Sequence, residues 1–328
     1  MTNIINYPNK KTILIHENGS FNAFINSLDY SKKYLLITDE NIFSLYKDTL
    51  SKINCLIKVV KPGEQSKSFE VYQEIIQTLI ANNFNKTDSI IAFGGGIISD
   101  LSLFVASTYQ RGMDIVLVPT TLLAMVDASI GGKCGINYES FKNQIGTYYF
   151  PSTLIIDEEL LNTLPISEYN NGFSEIIKCA ILADNNMFEQ IEQNNYVLHS
   201  LIENSINIKL NTIRDDIYDQ NKRRLLNFGH TVGHIIESST NYSISHGHAV
   251  AIGMVKEISN KELKQRTYNL LSKYFNIDYS LSEEDLNKYL LKDKKISNQT
   301  IDVVEIEDIG KSKIVNKKIK EVIDEYLW

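Results

Sequence analysis

The sequence predicts an α/β protein: an N-terminal α/β domain with a mostly parallel sheet over residues 1–165, then an all-helical domain over residues 166–328. Three observations carry this. Through the first half, short β-branched runs alternate with helical patterns, which implies a parallel sheet covered by helices. After about Pro165 the segments become long, keep a 3.6-residue period and lose strand signals. The chain has 328 residues, more than one hydrophobic core usually organises.

The elements follow in order. TILIHE, from Thr12, is apolar and β-branched and reads as a strand, and FNAFINSL as a helix. KYLLITDEN is a buried strand ending in a polar turn. CLIKVVKPGEQSKS is a strand running into a polar loop. FEVYQEIIQTLIANNF repeats apolar residues at helical spacing. SIIAFGGG is a strand closed by Gly94, Gly95 and Gly96, and ISDLSLFVASTY is the helix after it. DIVLVPTTLL is a strand stopped by Pro119. Beyond residue 165, SEYNNGFSEIIKCAILAD, the stretch from Met187 to Asp216, and HTVGHIIESS all read as helices. The last third, from about Glu257, is rich in Lys and Asn with mixed helical patterning. The cleft between two such domains is the expected ligand site.

Composition removes whole classes. With 33 Lys and Arg against 40 Asp and Glu, the net charge is −7. A nucleic-acid-binding chain would carry a basic footprint, so no nucleic-acid partner is expected. No run of 18 apolar residues exists and the N-terminal segment lacks an apolar signal core, so a soluble cytoplasmic protein is expected. Cys55, Cys134 and Cys179 are far apart with no C-x-x-C spacing, and read as reduced thiols.

The glycine turn after the SIIAF strand opens a helix. There, backbone N–H groups can approach a pyrophosphate, although Ser99 stands where the third glycine of the dinucleotide fingerprint belongs. A tight β-α turn is the equal alternative. Asp39, ending an earlier strand, suits either a ribose hydroxyl or a helix N-cap. Four of the six histidines fall within nineteen residues: His230 and His234 at i and i+4, then His246 and His248. Such a cluster favours a metal site, and Glu175 is the leading carboxylate to complete a His₂Glu set. Lys178 lies one turn from Glu175 among apolar neighbours. A surface ion pair is the plain alternative. Arg111, Asp127, Lys133, Lys142, Asn143, Lys209, Arg223, Lys294 and Lys295 together suggest a positive pocket inside an acidic protein, suited to a phosphate and a carboxylate. Asp127 and Lys133, in MVDASIGGK, have a setting that reads as buried.

The stretch GGGIISDLSLFVASTYQRGMDIVLVPTTLLAMVDASIGGKCGIN resembles the 3-dehydroquinate synthases. So do KNQIGTYYFPSTLIID, TLPISEYNNGFSEIIK, LLNFGHTVGHIIE and HGHAVAIGM. The likeness runs from about residue 35 to 258. It implies an NAD-binding α/β domain and a helical domain, with NAD, a divalent metal (zinc, or cobalt) and a seven-carbon sugar-acid phosphate as ligands. Carried over by motif, the metal ligands are Glu175, His230 and His246. The NAD set is Asp39, Glu64, Lys67, Gly95, Gly96, Asp100, Thr120, Thr121, Lys142 and Thr163. The substrate set is Arg111, Asn143, Lys209, Arg223 and Asn227 with Lys294 or Lys295, and the catalytic set Asp127, Lys133, Lys178 and His234. The resemblance further implies a homodimer in which Arg111 reaches the neighbouring site.

Three departures stand out. His248 replaces the usual Glu, which is expected to change only the surroundings of the ligands. Phe141 replaces a glycine. The segment between Met254 and Lys292 is short, so reduced C-terminal helices are expected. The implied chemistry is transient oxidation of a secondary alcohol by NAD⁺, loss of phosphate, return of the hydride and intramolecular aldol closure. Lys209 with Arg223 favours a carboxylate-bearing substrate over those of the related cyclitol-forming sugar phosphate cyclases. A metal-dependent polyol dehydrogenase is the third alternative, and a non-catalytic paralogue is opposed by the intact ligand set.

Overall fold

The computed structural model describes residues 2–139, 141–290 and 300–327. The chain divides into two compact units, Met1–Pro165 and Ile166–Trp328. The first begins with β1 (Thr2–Tyr7), β2 (Lys10–His16), α1 (Ser20–Asn26), β3 (Tyr34–Asp39), α2 (Glu40–Leu45), α3 (Lys47–Leu50), β4 (Leu56–Val60) and α4 (Phe69–Ala81). It continues with β5 (Ser89–Gly94), α5 (Gly96–Thr108), β6 (Asp114–Pro119), β7 (Lys133–Tyr138), β8 (Phe141–Tyr148) and β9 (Thr153–Ile156).

Seven strands form one sheet in the order β1-β2-β9-β6-β5-β3-β4. All neighbours run parallel except β1 with β2. The central strands are buried on both faces: Leu35, Leu36 and Ile37 of β3 and Ile90, Ile91 and Ala92 of β5 are all 0% exposed. That is why they read as continuous apolar runs instead of alternating ones. Phe21 of α1 stacks on Phe93 of β5 with ring centroids 4.4 Å apart. The sequence gives no sign of β1, whose residues are exposed or half-buried and whose sheet partner is β2 alone. With no buried face, no apolar alternation was needed. β7 and β8 form a separate antiparallel hairpin.

The second unit contains α6 (Ile166–Ala183), α7 (Asn185–Glu192), α8 (Leu198–Ile213), α9 (His230–Ser239), α10 (His246–Glu257), α11 (Lys261–Leu271) and α12 (Glu283–Leu290). After these come β10 (Thr300–Asp308), β11 (Lys311–Lys318) and α13 (Ile319–Tyr326). α6 is the central helix, buried from Asn171 to Leu182 and packed by α7, α8 and α10. The unit is helical but not wholly so, because β10 and β11 pair as an antiparallel hairpin. Ile301, Val303 and Ile306 of β10 are buried, a strand pattern in TIDVVEIED masked by the flanking lysines. Gly310, at φ 75°, makes the turn. Among the described residues, no helix is long and apolar enough to cross a membrane.

Candidate active site

Glu175 and Lys178 lie on α6 where that helix is most deeply enclosed. Their side chains are 1% and 2% exposed, and carboxylate and ammonium face each other directly. The i,i+3 spacing therefore builds a core pair, not a surface one. Apart from that contact, neither Glu175 oxygen accepts a hydrogen bond from the described residues. A buried carboxylate left this way calls for another partner.

α9 starts at His230 and α10 at His246, and small residues bring both starts to Glu175. A Cβ on Gly253 of α10 would collide with the Gly229 carbonyl, and one on Gly247 with the backbone of Asn171 in α6. His230 Nε2 lies 3.9 Å and His246 Nε2 3.8 Å from Glu175 Oε1. One donor atom from each of the three residues lies within 4.8 Å of the other two. The opposite ring nitrogens are engaged: His230 Nδ1 is 3.1 Å from the Phe228 carbonyl, and His246 Nδ1 is 3.3 Å from Glu237 Oε2. With protons assigned to Nδ1, both Nε2 lone pairs are available on the Glu175 side.

The electrostatics agree with ligation. Burial pushes the His230 imidazole well below its ordinary pKa, and the charges of Lys178, His246 and His234 add to the effect. Burial also acts to lower His246, but the Glu237 hydrogen bond and the Glu237 and Glu175 charges outweigh it and raise the pKa. Two imidazoles and one carboxylate, with no other hydrogen bond to the carboxylate, fit a divalent cation that keeps an open coordination position. Glu237 is a residue the sequence reading missed. Its signal was present, since it stands at i+7 from His230 and i+3 from His234 on one helix face.

The remaining expected residues of this unit sort by burial. The His234 ring centroid is 5.4 Å from that of His230. Lys209 on α8 and Arg223 in the turn 222–227 are 6% and 4% exposed, unusual for basic side chains. Asn227 is half-buried. Asp216 holds the loop before Arg223 by accepting from the backbone N–H groups of Gln220, Asn221 and Arg223 at 2.7–2.9 Å. His248 points elsewhere: its Nε2 is 2.6 Å from the Asn276 carbonyl and its ring stacks on Phe275. Lys294 and Lys295 lie outside the described residues.

The first unit gathers a second set. Gly95 and Gly96 open α5, and a Cβ on either would press on Thr121 or Ala128. Lys67, only 4% exposed, donates to Asp100 Oδ2 at 2.6 Å and to Asn143 Oδ1 at 2.5 Å. Burial raises the Asp100 carboxyl against the pull of Lys67. Asn137, which sequence reading passed over, ties this mesh together. Its Nδ2 donates to Glu64 Oε1 at 2.9 Å, its N–H to the Lys67 carbonyl at 2.7 Å, and its Oδ1 accepts from Asn143 N–H at 2.8 Å. Asn143 is thereby held at φ 50° and joins Lys67.

Other residues of this unit are placed as follows. Asp39 caps α2, accepting from Asn41 and Ile42 N–H on Oδ1. Thr120 is buried with no hydrogen bond to its hydroxyl. Thr121 Oγ1 accepts from Ala124 N–H at 3.2 Å, and Thr163 Oγ1 is 3.0 Å from the Tyr46 hydroxyl. Lys142 and Asp127 are half-buried and Arg111 is exposed. Lys133 is exposed, contrary to its apolar surroundings in the sequence. It begins a strand on which Cys134 and Ile136 turn inward, so the two-residue period sends it out.

The chain matches the family description "3-dehydroquinate synthase N-terminal" over residues 57–171 and "3-dehydroquinate synthase C-terminal" over residues 172–296. A 3-dehydroquinate synthase of Clostridium perfringens is 40% identical over 278 residues, which is 80% of this chain and 79% of that protein. A solved 2-deoxy-scyllo-inosose synthase, complexed with carbaglucose-6-phosphate, NAD⁺ and Co²⁺, has a TM-score of 0.87 at 24% identity and covers 100% of both chains. A 2-epi-5-epi-valiolone synthase from Streptomyces hygroscopicus with NAD⁺ and Zn²⁺ bound has a TM-score of 0.86 at 24% identity, over 100% of this chain and 98% of that one. These two share the fold.

Proposed function

The chain belongs to the 3-dehydroquinate synthase family, and from that premise we propose that it converts 3-deoxy-D-arabino-heptulosonate 7-phosphate to 3-dehydroquinate and phosphate. The observation that carries the reading is Glu175, buried and, among the described residues, bonded to Lys178 alone, with two imidazole Nε2 atoms at 3.8–3.9 Å. NAD⁺ supplies a hydride acceptor and donor when bound, and the divalent metal a Lewis acid for the substrate's secondary alcohol.

The chain's own residues do the rest. Glu175, His230 and His246 would hold the metal. Lys178, already against Glu175, would hold or pass a proton at the hydroxyl that reacts, together with His234 beside the same histidines. Lys209 and Arg223 would bind the carboxylate, their burial making an anionic partner worth more than in water. The β5–α5 turn offers backbone N–H groups to a pyrophosphate. Lys67, Asp100 and Glu64 form the mesh beside that turn, with Asp39, Thr120, Thr121, Lys142 and Thr163 completing the proposed NAD set. Asp127 and Lys133 are proposed to act on the substrate. The exposed Arg111, at φ 66°, is proposed to reach the neighbouring site of a cytoplasmic homodimer.

The test is phosphate release from 3-deoxy-D-arabino-heptulosonate 7-phosphate with a catalytic trace of NAD⁺ and zinc or cobalt. Phosphate far in excess of NAD⁺, abolished by a chelator, is the expected result. Turnover of glucose 6-phosphate or sedoheptulose 7-phosphate in its place would move the chain to the cyclitol-forming branch. The buried Lys209 and Arg223 favour the acid substrate.

A further inference from the structure

We propose that Glu257, a buried carboxylate with no part in the chemistry above, is a positioning residue for the metal ligand His230. The inference rests on the reading of Glu175, His230 and His246 as a metal site. Glu257 is the last residue of α10 and 6% exposed. Its Oε2 accepts from Gly229 N–H at 2.7 Å and its Oε1 from Val232 N–H at 3.0 Å. Those two donors bracket His230, the first residue of α9.

α9 has no cap of its own. Its N-cap residue is Gly229, at φ 78°, and no side chain of the segment satisfies the first turn. Glu257 fills that role from the neighbouring helix and adds a negative charge at the positive end of α9. It thereby fixes the backbone from which His230 projects, while the Phe228 carbonyl fixes the ring. The arrangement is reciprocal. His246 starts α10 and is held by Glu237 of α9; His230 starts α9 and is held by Glu257 of α10. Outer groups of this kind typically change metal affinity by about 10–100-fold.

The test uses the full chain, with zinc affinity read by competition against a fluorescent chelator and the d–d absorption of the cobalt-loaded protein as a second readout. The variants are Glu257→Gln, Glu257→Ala and His230→Ala. Far-UV circular dichroism and a cooperative urea transition of wild-type midpoint in the presence of chelator report that the unit Ile166–Trp328, which carries both residues, is folded. The expected result is a zinc affinity about 10-fold weaker for Glu257→Gln and about 100-fold weaker for Glu257→Ala. The cobalt spectrum is expected to change. If Glu257→Ala does not fold, Glu257→Gln alone decides. Wild-type zinc affinity and cobalt spectrum in the Glu257 variants, with zinc lost in His230→Ala, would overturn the positioning role alone. No zinc uptake by the wild type, or no loss in His230→Ala, would overturn the metal-site reading and the inference with it.

Discussion

Lys209 and Arg223 are buried cations, and such groups cost free energy unless an anion or polar partners meet them. Replacing either with Ala is expected to raise KM for the acid substrate about 10–100-fold, from the roughly 1.5–3 kcal/mol of a charge-assisted hydrogen bond. An unchanged KM in both variants would sink the carboxylate assignment. The cysteines give a second prediction at this scale. Burial pushes the Cys55 thiol up to about 11 and the Cys134 thiol up to about 12. At pH 8 both are therefore protonated, and the thiolate is the nucleophile. Alkylation by iodoacetamide in the native protein should run on the order of 100-fold slower than in urea at Cys55 and on the order of 1000-fold slower at Cys134, counted by mass spectrometry against an ordinary thiol pKa of about 8.5. Single residues were legible in the sequence where several chemical types coincided in a short span. The histidines and Glu175 are of that kind. Asn137, Glu237 and Glu257 act on neighbours far along the chain or through backbone, so their own surroundings in sequence say little about them.

At the scale of elements, the loop between α8 and the turn 222–227 depends on one carboxylate. Burial pushes Asp216 up, but the N–H groups of Gln220, Arg223 and Asn221, with the Arg223 charge, outweigh it and hold the carboxyl below its ordinary range. A depressed folded pKa means stability that is present above the unfolded value, near 3.9, and lost as pH falls through the folded one. Asp216→Asn is thus expected to unfold about 1–3 kcal/mol more easily than wild type at pH 7. The gap should close as pH drops below about 4, where urea titrations of the two proteins converge. A constant gap down to pH 3 would show that the carboxylate charge is not what matters. The parallel strands β3 and β5 were easy to read, because their apolar runs end in turn residues, whereas the four-residue parallel strand β9 went unread. Sequence reading missed β1 for lack of a buried face and misjudged β10–β11, because a lysine-rich partner strand hid the alternation.

For the whole molecule, metal binding is expected to act as folding free energy in the unit that holds Glu175, His230 and His246, since the unfolded chain does not preform the site. Free zinc at 100-fold over its Kd should stabilise that unit by about 2.7 kcal/mol. Calorimetry with zinc and with a chelator reads this directly, and coincident curves would contradict the site. Division near residue 165 was legible because patterning changes there. The mesh of Glu64, Lys67, Asp100, Asn137 and Asn143 was not, because it joins a loop, a helix and a hairpin that sequence holds up to 79 positions apart, from Glu64 to Asn143. That mesh has a kinetic consequence. Its segments are already ordered by bonds within the protein, so dinucleotide capture at the proposed NAD site would leave little ordering entropy to be lost there. The reaction proposed above would return its hydride to the same nicotinamide and so would have no need to let the cofactor go. Slow exchange of labelled NAD⁺ through many turnovers is therefore the expected behaviour, with the dinucleotide retained like a prosthetic group instead of traded like a co-substrate.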